Sequence, residues 1–219
     1  MKKHILCYGD SNTHGYCADP GDCEDGGIRF TENQRWPQLL QRALGEDYLV
    51  TEEGLSGRTT CFDDPLYEGL NGLNYITPCL KSHEVIDLLM IMLGTNDTKD
   101  RFCASAACIG LGMARLVKKA KDTDCWGGKA PNILIIVPPP IGAGMLTSAV
   151  AQTMGQLCVE KSRQLGESYR EQCEPLGVSF LDAGALGCEF NTVDYMHLTS
   201  RGHAQLAEAL APMVPRLMK

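Results

Sequence analysis

The chain of 219 residues has the length of one domain, a net charge of −7, 44% hydrophobic residues and 21% charged residues. These values are typical of a globular protein that buries a sizeable core. The acidic balance, without a Lys/Arg cluster, argues against a broad nucleic-acid surface. We therefore expect a single domain over residues 1–219 without a nucleic-acid partner.

The sequence carries no recognisable targeting or membrane signal. The apolar run after the first four residues is too short for a signal peptide, and no apolar stretch reaches the roughly 18 residues of a membrane span. Eleven cysteines are scattered along the chain without a Cys-x-x-Cys pair. This pattern predicts reduced thiols in a cytoplasmic protein, with no membrane partner, no disulfide framework and no metal site.

The first predicted element is a short buried strand at 5–8, which ends in the polar turn Gly9-Asp10-Ser11-Asn12. Open α/β sheets place their ligands at such strand ends, and a helix start there can stabilise negative charge on an oxygen. Ser11 is therefore a candidate nucleophile, and Asp10 and His14 are candidate substrate contacts. Asp10 and Ser11 could equally be ordinary helix N-cap residues.

Strands and helices alternate along the rest of the chain. Apolar runs predict strands at 48–51, 86–93, 133–137 and 178–181. Apolar residues at helical spacing predict helices over 33–44, 102–121 and 148–174, a short one ending near 83, and a last one beginning near 199. Residues 16–32 and 61–75 are expected to be irregular. The alternation predicts a parallel sheet with helices on both faces.

Polar turns also follow the later strands, and the carboxyl ends of parallel strands converge on one edge of a sheet. Gly57 lies in the turn after the second strand, Asn96 in the turn after the third, and Asp194 and His197 lie beyond the fifth. A serine nucleophile needs a neighbouring base, and the base needs a partner that fixes its tautomer. We expect His197 to be the base and Asp194, three residues earlier, to be its partner.

The same turns contain candidate donors for an oxyanion hole. The backbone N–H groups of Ser11 and Gly57 and the side-chain amide of Asn96 would provide three donors to a tetrahedral oxyanion. Taken singly, Gly57 could serve only a turn, Asn96 could cap a helix, and Asp194 and His197 could form a surface pair. Their joint occurrence at the strand ends of one sheet favours a catalytic site.

At these residues the sequence resembles the SGNH (GDSL-type) hydrolase family. Four of the family's blocks occur in family order: Gly9-Asp10-Ser11-Asn12, Gly57 within Leu-Ser-Gly-Arg-Thr-Thr, Gly94-Thr95-Asn96-Asp97 and Asp194-x-x-His197. The resemblance implies a three-layer α/β/α, flavodoxin-like fold with a five-stranded parallel sheet. It also implies a Ser11–His197–Asp194 triad, an oxyanion hole that includes Gly57 and Asn96, and no metal or organic cofactor.

Within the family, three stretches are similar to the bacterial arylesterase/acyltransferase subgroup: Glu-Glu-Gly-Leu-Ser-Gly-Arg-Thr-Thr, Ile-Met-Leu-Gly-Thr-Asn-Asp-Thr-Lys and Val-Pro-Pro-Pro. Some members transfer acetyl groups to alcohols, and some form large homo-oligomers, so the resemblance implies a possible homo-oligomer here. Members often have tryptophan where His14 stands and a longer, more apolar loop after the triple proline. A less hydrophobic pocket is expected in this chain.

The sequence thus predicts a serine esterase that hydrolyses small acyl esters through an acyl-enzyme intermediate. Acyl transfer to an alcohol and deacetylation of a carbohydrate would use the same site and stay open. A flavodoxin-like protein that only binds a small anion is a further alternative. A nicotinamide-dependent enzyme is disfavoured because no Gly-x-Gly-x-x-Gly follows the first strand.

Overall fold

A computed structural model describes residues 2–219. In this part of the chain the strands are β1 (Lys3–Gly9), β2 (Tyr48–Gly54), β3 (Leu88–Met92), β4 (Ile133–Val137) and β5 (Ser179–Asp182). The helices are α1 (Ser11–His14), α2 (Trp36–Leu44), α3 (Gly72–Ser82), α4 (Ala106–Asp122), α5 (Ala151–Met154), α6 (Cys158–Cys173), α7 (Ser200–Leu210) and α8 (Val214–Leu217). None of the helices in this range combines the length and the apolarity needed to cross a bilayer.

The five strands form one parallel sheet in the order β2-β1-β3-β4-β5. In the register of the sheet, Tyr8 of β1 lies between Glu53 of β2 and Ile91 of β3. The chain runs to one side of β1 to form β2 and to the other side to form β3, β4 and β5. The carboxyl ends of β1 and β3 therefore flank the point where such sheets bind ligands.

Side chains of the inner strands alternate between two apolar layers, because successive residues of a strand face opposite sides of the sheet. Leu6 and Tyr8 pack with residues of α3, α4 and α6 on one face. Ile5 and Cys7 pack with residues of α2, α7 and α8 on the other. Both faces are buried, which explains the continuous apolar runs and confirms the predicted three-layer α/β/α fold with five parallel strands.

The single helix predicted over 148–174 is wrong, because the chain breaks it at Gly155. Gly155 has a φ of +90°, which ends α5 after Met154. The carboxylate of Asp100 accepts the backbone N–H of Gln156 at 2.7 Å, in the gap before α6 begins. A carboxylate from a distant segment thus takes the place of an intrahelical partner.

The irregular region predicted over 61–75 ends earlier than expected. The side chain of Asn71 accepts hydrogen bonds from the backbone N–H groups of Leu73 and Asn74, so α3 begins at Gly72.

The second strand is longer than predicted, because Glu52 and Glu53 continue its pairing with β1. Polar residues are tolerated there because β2 lies at the edge of the sheet.

Candidate active site

Ser11, His197 and Asp194 are joined by a continuous series of hydrogen bonds. The Oγ of Ser11 lies 2.7 Å from Nε2 of His197, and Nδ1 of His197 lies 2.7 Å from Oδ2 of Asp194. Ser11 is the first residue of α1, directly after the end of β1, while the other two precede α7. The structure thus brings together residues separated by 186 positions. A hydroxyl, an imidazole and a carboxylate in this order can activate the hydroxyl as a nucleophile.

The carboxylate of Asp194 is held by donors from its own loop. Its Oδ1 accepts the side-chain N–H of Asn191 at 3.0 Å and the backbone N–H groups of Met196 and His197 at 3.1 and 3.2 Å. Burial by itself raises the pKa of Asp194, but the hydrogen bond and charge of His197 and these N–H groups lower it to about 2. The group is therefore ionised near neutral pH.

Asn12 connects the serine turn to the histidine loop. Its Nδ2 donates to the backbone oxygen of Met196 at 3.2 Å, and its Oδ1 accepts the backbone N–H of Leu198 at 2.9 Å. These two bonds hold the backbone of the residues immediately before and after His197. The sequence marked Asn12 only as part of the first motif block, because this contact joins distant segments.

Three predicted oxyanion donors lie on one wall of the site. The N–H of Ser11, as the first residue of a helix, has no partner inside that helix. Gly57 has a φ of +90°, a conformation that favours glycine, and its N–H makes no hydrogen bond among residues 2–219. The Nδ2 of Asn96 donates to the backbone oxygen of Arg58 at 3.1 Å and lies 3.5 Å from Oδ2 of Asp10. The contact with Asp10 is at the limit of hydrogen-bond distance, so this weakly held amide hydrogen is the one available to a substrate.

Two buried aspartates lie beneath this wall. Asp10 caps α1 by accepting the N–H of Asn12 at 3.0 Å, and burial raises its pKa to about 6. Asp97 accepts the backbone N–H of Thr60 at 2.9 Å and its hydroxyl at 2.5 Å, and burial likewise raises its pKa to about 6. Through these hydrogen bonds, Asp97 connects the turn after β3 to the segment that carries Gly57.

A cavity of about 650 Å³ opens above these groups and contains Ser11, Gly57, Asn96, Asp194 and His197 in its wall. The other polar residues in the wall are Tyr16, Ser56, Tyr67, Glu68, Thr95, Lys99, Arg101 and Thr153. An apolar part is formed by Leu70, Val150, Met154 and Met196. The cavity therefore offers both polar and apolar surface to a small ligand.

Asp10 and His14, the expected substrate contacts, do not lie on the cavity wall. Asp10 is only 1% exposed, because its side chain turns inward to cap α1. Tyr16 lies there instead, with its ring centroid 4.7 Å from that of His197. Tyr16 falls in the loop predicted to be irregular, and nothing in its local pattern indicated the contact.

Arg58 was also not predicted as a site residue, although it connects the ends of two strands. Its guanidinium donates to the backbone oxygens of Gly9 and Glu53 and lies 4.2 Å from the centre of the Tyr8 ring. Arg58 thereby holds the segment after β2 against the end of β1, next to Gly57. The place of Arg58 directly after Gly57 in the motif stretch was the signal available in the sequence.

A separate group of potential metal ligands lies between β2 and α3. Ligand atoms of Glu53, Cys79 and His83 lie within 4.8 Å of one another. Nε2 of His83 lies 2.8 Å from Oε1 of Glu53, so these two side chains already bond to each other. No metal site was expected from the sequence, and none of these three residues lies in the wall of the cavity that contains Ser11.

The chain matches the GDSL-like lipase/acylhydrolase family over residues 7–205. Since this match covers most of the chain, the protein belongs to that family, as the motif blocks predicted. It is thus a carboxylic ester hydrolase by class. A search of curated proteins gave no significant match.

Solved structures of bacterial esterases resemble the chain over nearly its whole length. An aryl esterase from M. smegmatis is 38% identical, with 98% of this chain and 99% of that chain covered and a TM-score of 0.88. A carbohydrate acetylesterase from Sinorhizobium meliloti is 34% identical, with 99% of this chain and 100% of that chain covered and a TM-score of 0.87. These similarities agree with the arylesterase-like subgroup indicated by the sequence.

Proposed function

We propose that the protein hydrolyses small acyl esters through an acyl-enzyme intermediate on Ser11. The observation that carries the proposal is the series of two 2.7 Å contacts from Ser11 through His197 to Asp194, on the wall of the cavity. The acyl groups are proposed to be small, acetyl-like ones, because a related structure is a carbohydrate acetylesterase.

In the first half of the proposed reaction, Oγ of Ser11 attacks the ester carbonyl carbon while Nε2 of His197 takes the hydroxyl proton. The carbonyl oxygen becomes an oxyanion, which accepts hydrogen bonds from the N–H groups of Ser11 and Gly57 and from Asn96. Collapse of this intermediate breaks the bond to the alcohol. His197 returns its proton to the departing oxygen.

In the second half, a water molecule attacks the acyl carbon on Ser11 as His197 removes its proton. The second oxyanion occupies the same donors, and its collapse releases the acid and returns the proton to Oγ. Asp194 stays ionised throughout, because its pKa is about 2, and stabilises the imidazolium of His197. No step requires a metal or an organic cofactor.

Other acceptors would use the same acyl-enzyme. An alcohol in place of water would make the protein an acyltransferase, and an acetylated carbohydrate as substrate would make it an acetylesterase like the relative from Sinorhizobium meliloti. Product ratios in water–alcohol mixtures test the first alternative. Acetate release from acetylated saccharides tests the second.

The proposal is tested by hydrolysis of p-nitrophenyl esters from acetate to octanoate. We expect activity to fall with chain length and Ser11→Ala to lower kcat by several orders of magnitude. Ser56→Ala is a matched control, because Ser56 lines the same cavity without a hydrogen bond to His197. Equal rates for the parent and Ser11→Ala would contradict the proposal.

We also propose that the protein works in the cytoplasm. The eleven cysteines are free thiols, and Cys103 and Cys108 are exposed. Exposed unpaired thiols persist best in a reducing compartment. Fractionation of the cells that produce the protein tests this, and recovery outside the cytoplasm would contradict it.

A further inference from the structure

Lys99 is a buried cation on the wall of the cavity. It follows the short turn Asn96–Thr98 after β3, is only 7% exposed and lines the cavity that contains Ser11. Its ammonium group makes no hydrogen bond or ion pair with any of residues 2–219. A buried charge without a partner is costly, so such groups are normally paired. The cavity is the place from which a ligand can supply the partner.

The carboxylates whose charges act on Lys99 are bonded to other groups. Asp64 accepts the backbone N–H of Leu66 at 2.9 Å and lies 3.3 Å from Nε of Arg101. Asp10 accepts the N–H of Asn12. They attract Lys99 through space, but neither contacts its ammonium group.

The third carboxylate, Asp97, is also bonded to another residue. Its pKa is about 6, so it is partly protonated when the pH is near 6. It accepts both the backbone N–H and the hydroxyl of Thr60, on the inner side of the wall. Burial, together with the charge of Arg101, lowers the pKa of Lys99 itself. The local carboxylates thus leave the ammonium group uncompensated at close range.

A second cation lies on the same wall. Arg101 also lines the cavity, and its guanidinium is paired with Asp64, whose Oδ2 lies 3.3 Å from Nε of Arg101. Of the acidic residues in the wall, Asp194 is bonded to His197 and Glu68 is exposed. Among the described residues of this wall, Lys99 is therefore the cation that keeps an unpaired ammonium group for a ligand that enters the cavity.

We propose that Lys99 binds an anionic group of the substrate, so that preferred esters carry a carboxylate or a similar anion near the ester bond. Arg101, which is paired with Asp64, is a second cation in the same wall. The inference rests on the proposed function, since it takes the ester bond to lie at Ser11. The anion could belong to the acyl part or to the alcohol part, and the experiment separates these two sources.

The test compares two matched pairs of esters that differ in charge. Mono-(p-nitrophenyl) glutarate is compared with p-nitrophenyl pentanoate, and 3-acetoxybenzoate with its methyl ester, each corrected for uncatalysed hydrolysis. For one pair, we expect Lys99→Met to lower the ratio of kcat/KM for the anionic ester to that for the neutral ester by about 10- to 100-fold, as for loss of a charge-assisted hydrogen bond. The pair that responds identifies the part of the substrate that carries the charge.

Two further variants show that the effect comes from this charge. Lys99→Arg retains a cation and should restore most of the ratio, and Lys118→Met removes an exposed lysine of α4 and should leave the ratio at its parent value. If Lys99→Met leaves both ratios unchanged, whether or not it lowers all rates equally, the lysine does not recognise substrate charge and the proposal is overturned.

A binding measurement separates this proposal from the proposed function. Calorimetry of the Ser11→Ala protein with glutarate and with 3-hydroxybenzoate, the product anions of the two pairs, needs no turnover. We expect one of them to bind at least about tenfold more weakly when Lys99→Met is added. Equal binding of both anions overturns the role of Lys99. Persistent hydrolysis by Ser11→Ala would instead overturn the proposed function, and the binding result would still decide about Lys99.

Discussion

At the scale of single residues, Asn96 has two possible uses for its side-chain amide. It donates to the backbone oxygen of Arg58, a structural contact, and it lines the cavity beside Ser11, where an oxyanion would form. If the second use is the important one, removal of the amide should affect the reaction far more than the fold.

We predict that Asn96→Ala lowers kcat by about 100- to 1000-fold, as expected for loss of one oxyanion donor. Asn132→Ala is the matched control, because Asn132 also donates to backbone oxygens but lies at the opposite end of the sheet from Ser11. The measurement is steady-state hydrolysis of p-nitrophenyl acetate together with thermal unfolding. A near-parent rate for Asn96→Ala would show that its amide does not stabilise the transition state.

The predictability of individual site residues depended on whether a local pattern marked them. Ser11 and His197 occur in short motif blocks at strand ends, so the sequence could predict that they meet. Tyr16 and Lys99 enter the cavity through the packing of separate segments, which no local spacing encodes. Asp10 matched a motif, yet its side chain caps a helix and is buried.

At the scale of elements, the site depends on a joint between α1 and the loop that precedes α7. Asn12 forms this joint with its two hydrogen bonds to the backbone on either side of His197. If the joint loosens, the imidazole loses its fixed position relative to Ser11. Misplacement by about 1 Å can cost a reaction about 100-fold.

We predict that Asn12→Ala lowers kcat by about 10- to 100-fold and lowers the free energy of unfolding by about 1–3 kcal/mol, since two buried backbone groups lose their partners. Kinetics with p-nitrophenyl acetate and urea unfolding of the same preparation measure both effects. Asn12→Asp keeps the acceptor for Leu198 and should lie between the parent and Asn12→Ala. A variant that is destabilised but has a normal kcat would exclude the positioning role.

The elements themselves were predicted with uneven success. The strand β4 lies at 133–137 as predicted, because an apolar run bounded by polar residues and prolines marks a buried strand. The helix predicted over 148–174 failed at Gly155, where the carboxylate of Asp100 takes up the N–H groups ahead of α6. That carboxylate lies more than fifty residues away in sequence, so helical periodicity alone could not show the break.

At the scale of the whole molecule, the order of strands explains where the site lies. β1 and β3 are neighbours although β2 separates them in sequence, so the turns that carry Ser11 and Asn96 meet at the switch point of the sheet. The sequence predicted five strands from their apolar runs and the convergence of their ends at one edge. The order itself is a tertiary property that alternation of strands and helices does not specify.

The stability of the whole fold should carry a pH dependence from His203. This side chain of α7 is fully buried, and its Nδ1 accepts the backbone N–H of Trp36 at 3.3 Å, joining α7 to α2. Burial lowers the pKa of His203 to about 3, against an ordinary value of 6.5. Between these values the unfolded chain binds one more proton than the folded chain, so stability is lost as the pH falls.

The raised pKa values of Asp10 and Asp97, about 6, act in the opposite direction between pH values of about 4 and 6. Comparison with His203→Asn, which keeps an acceptor near Nδ1 but does not titrate, cancels their contribution. We predict that the stability advantage of the parent over the variant shrinks by about 2 kcal/mol from pH 7 to pH 5. Urea unfolding at both pH values measures it, and a constant difference would mean that burial does not lower the pKa of His203 in the folded protein.

The central claim is that Ser11 forms the covalent intermediate. It is tested most directly by treating the protein with a p-nitrophenyl alkylphosphonate and measuring the intact and peptide masses. We predict one adduct per chain on Ser11, much slower labelling of His197→Ala, and no adduct on Ser11→Ala. An adduct on another residue, or continued ester hydrolysis by protein that carries no adduct after full treatment, would contradict the account.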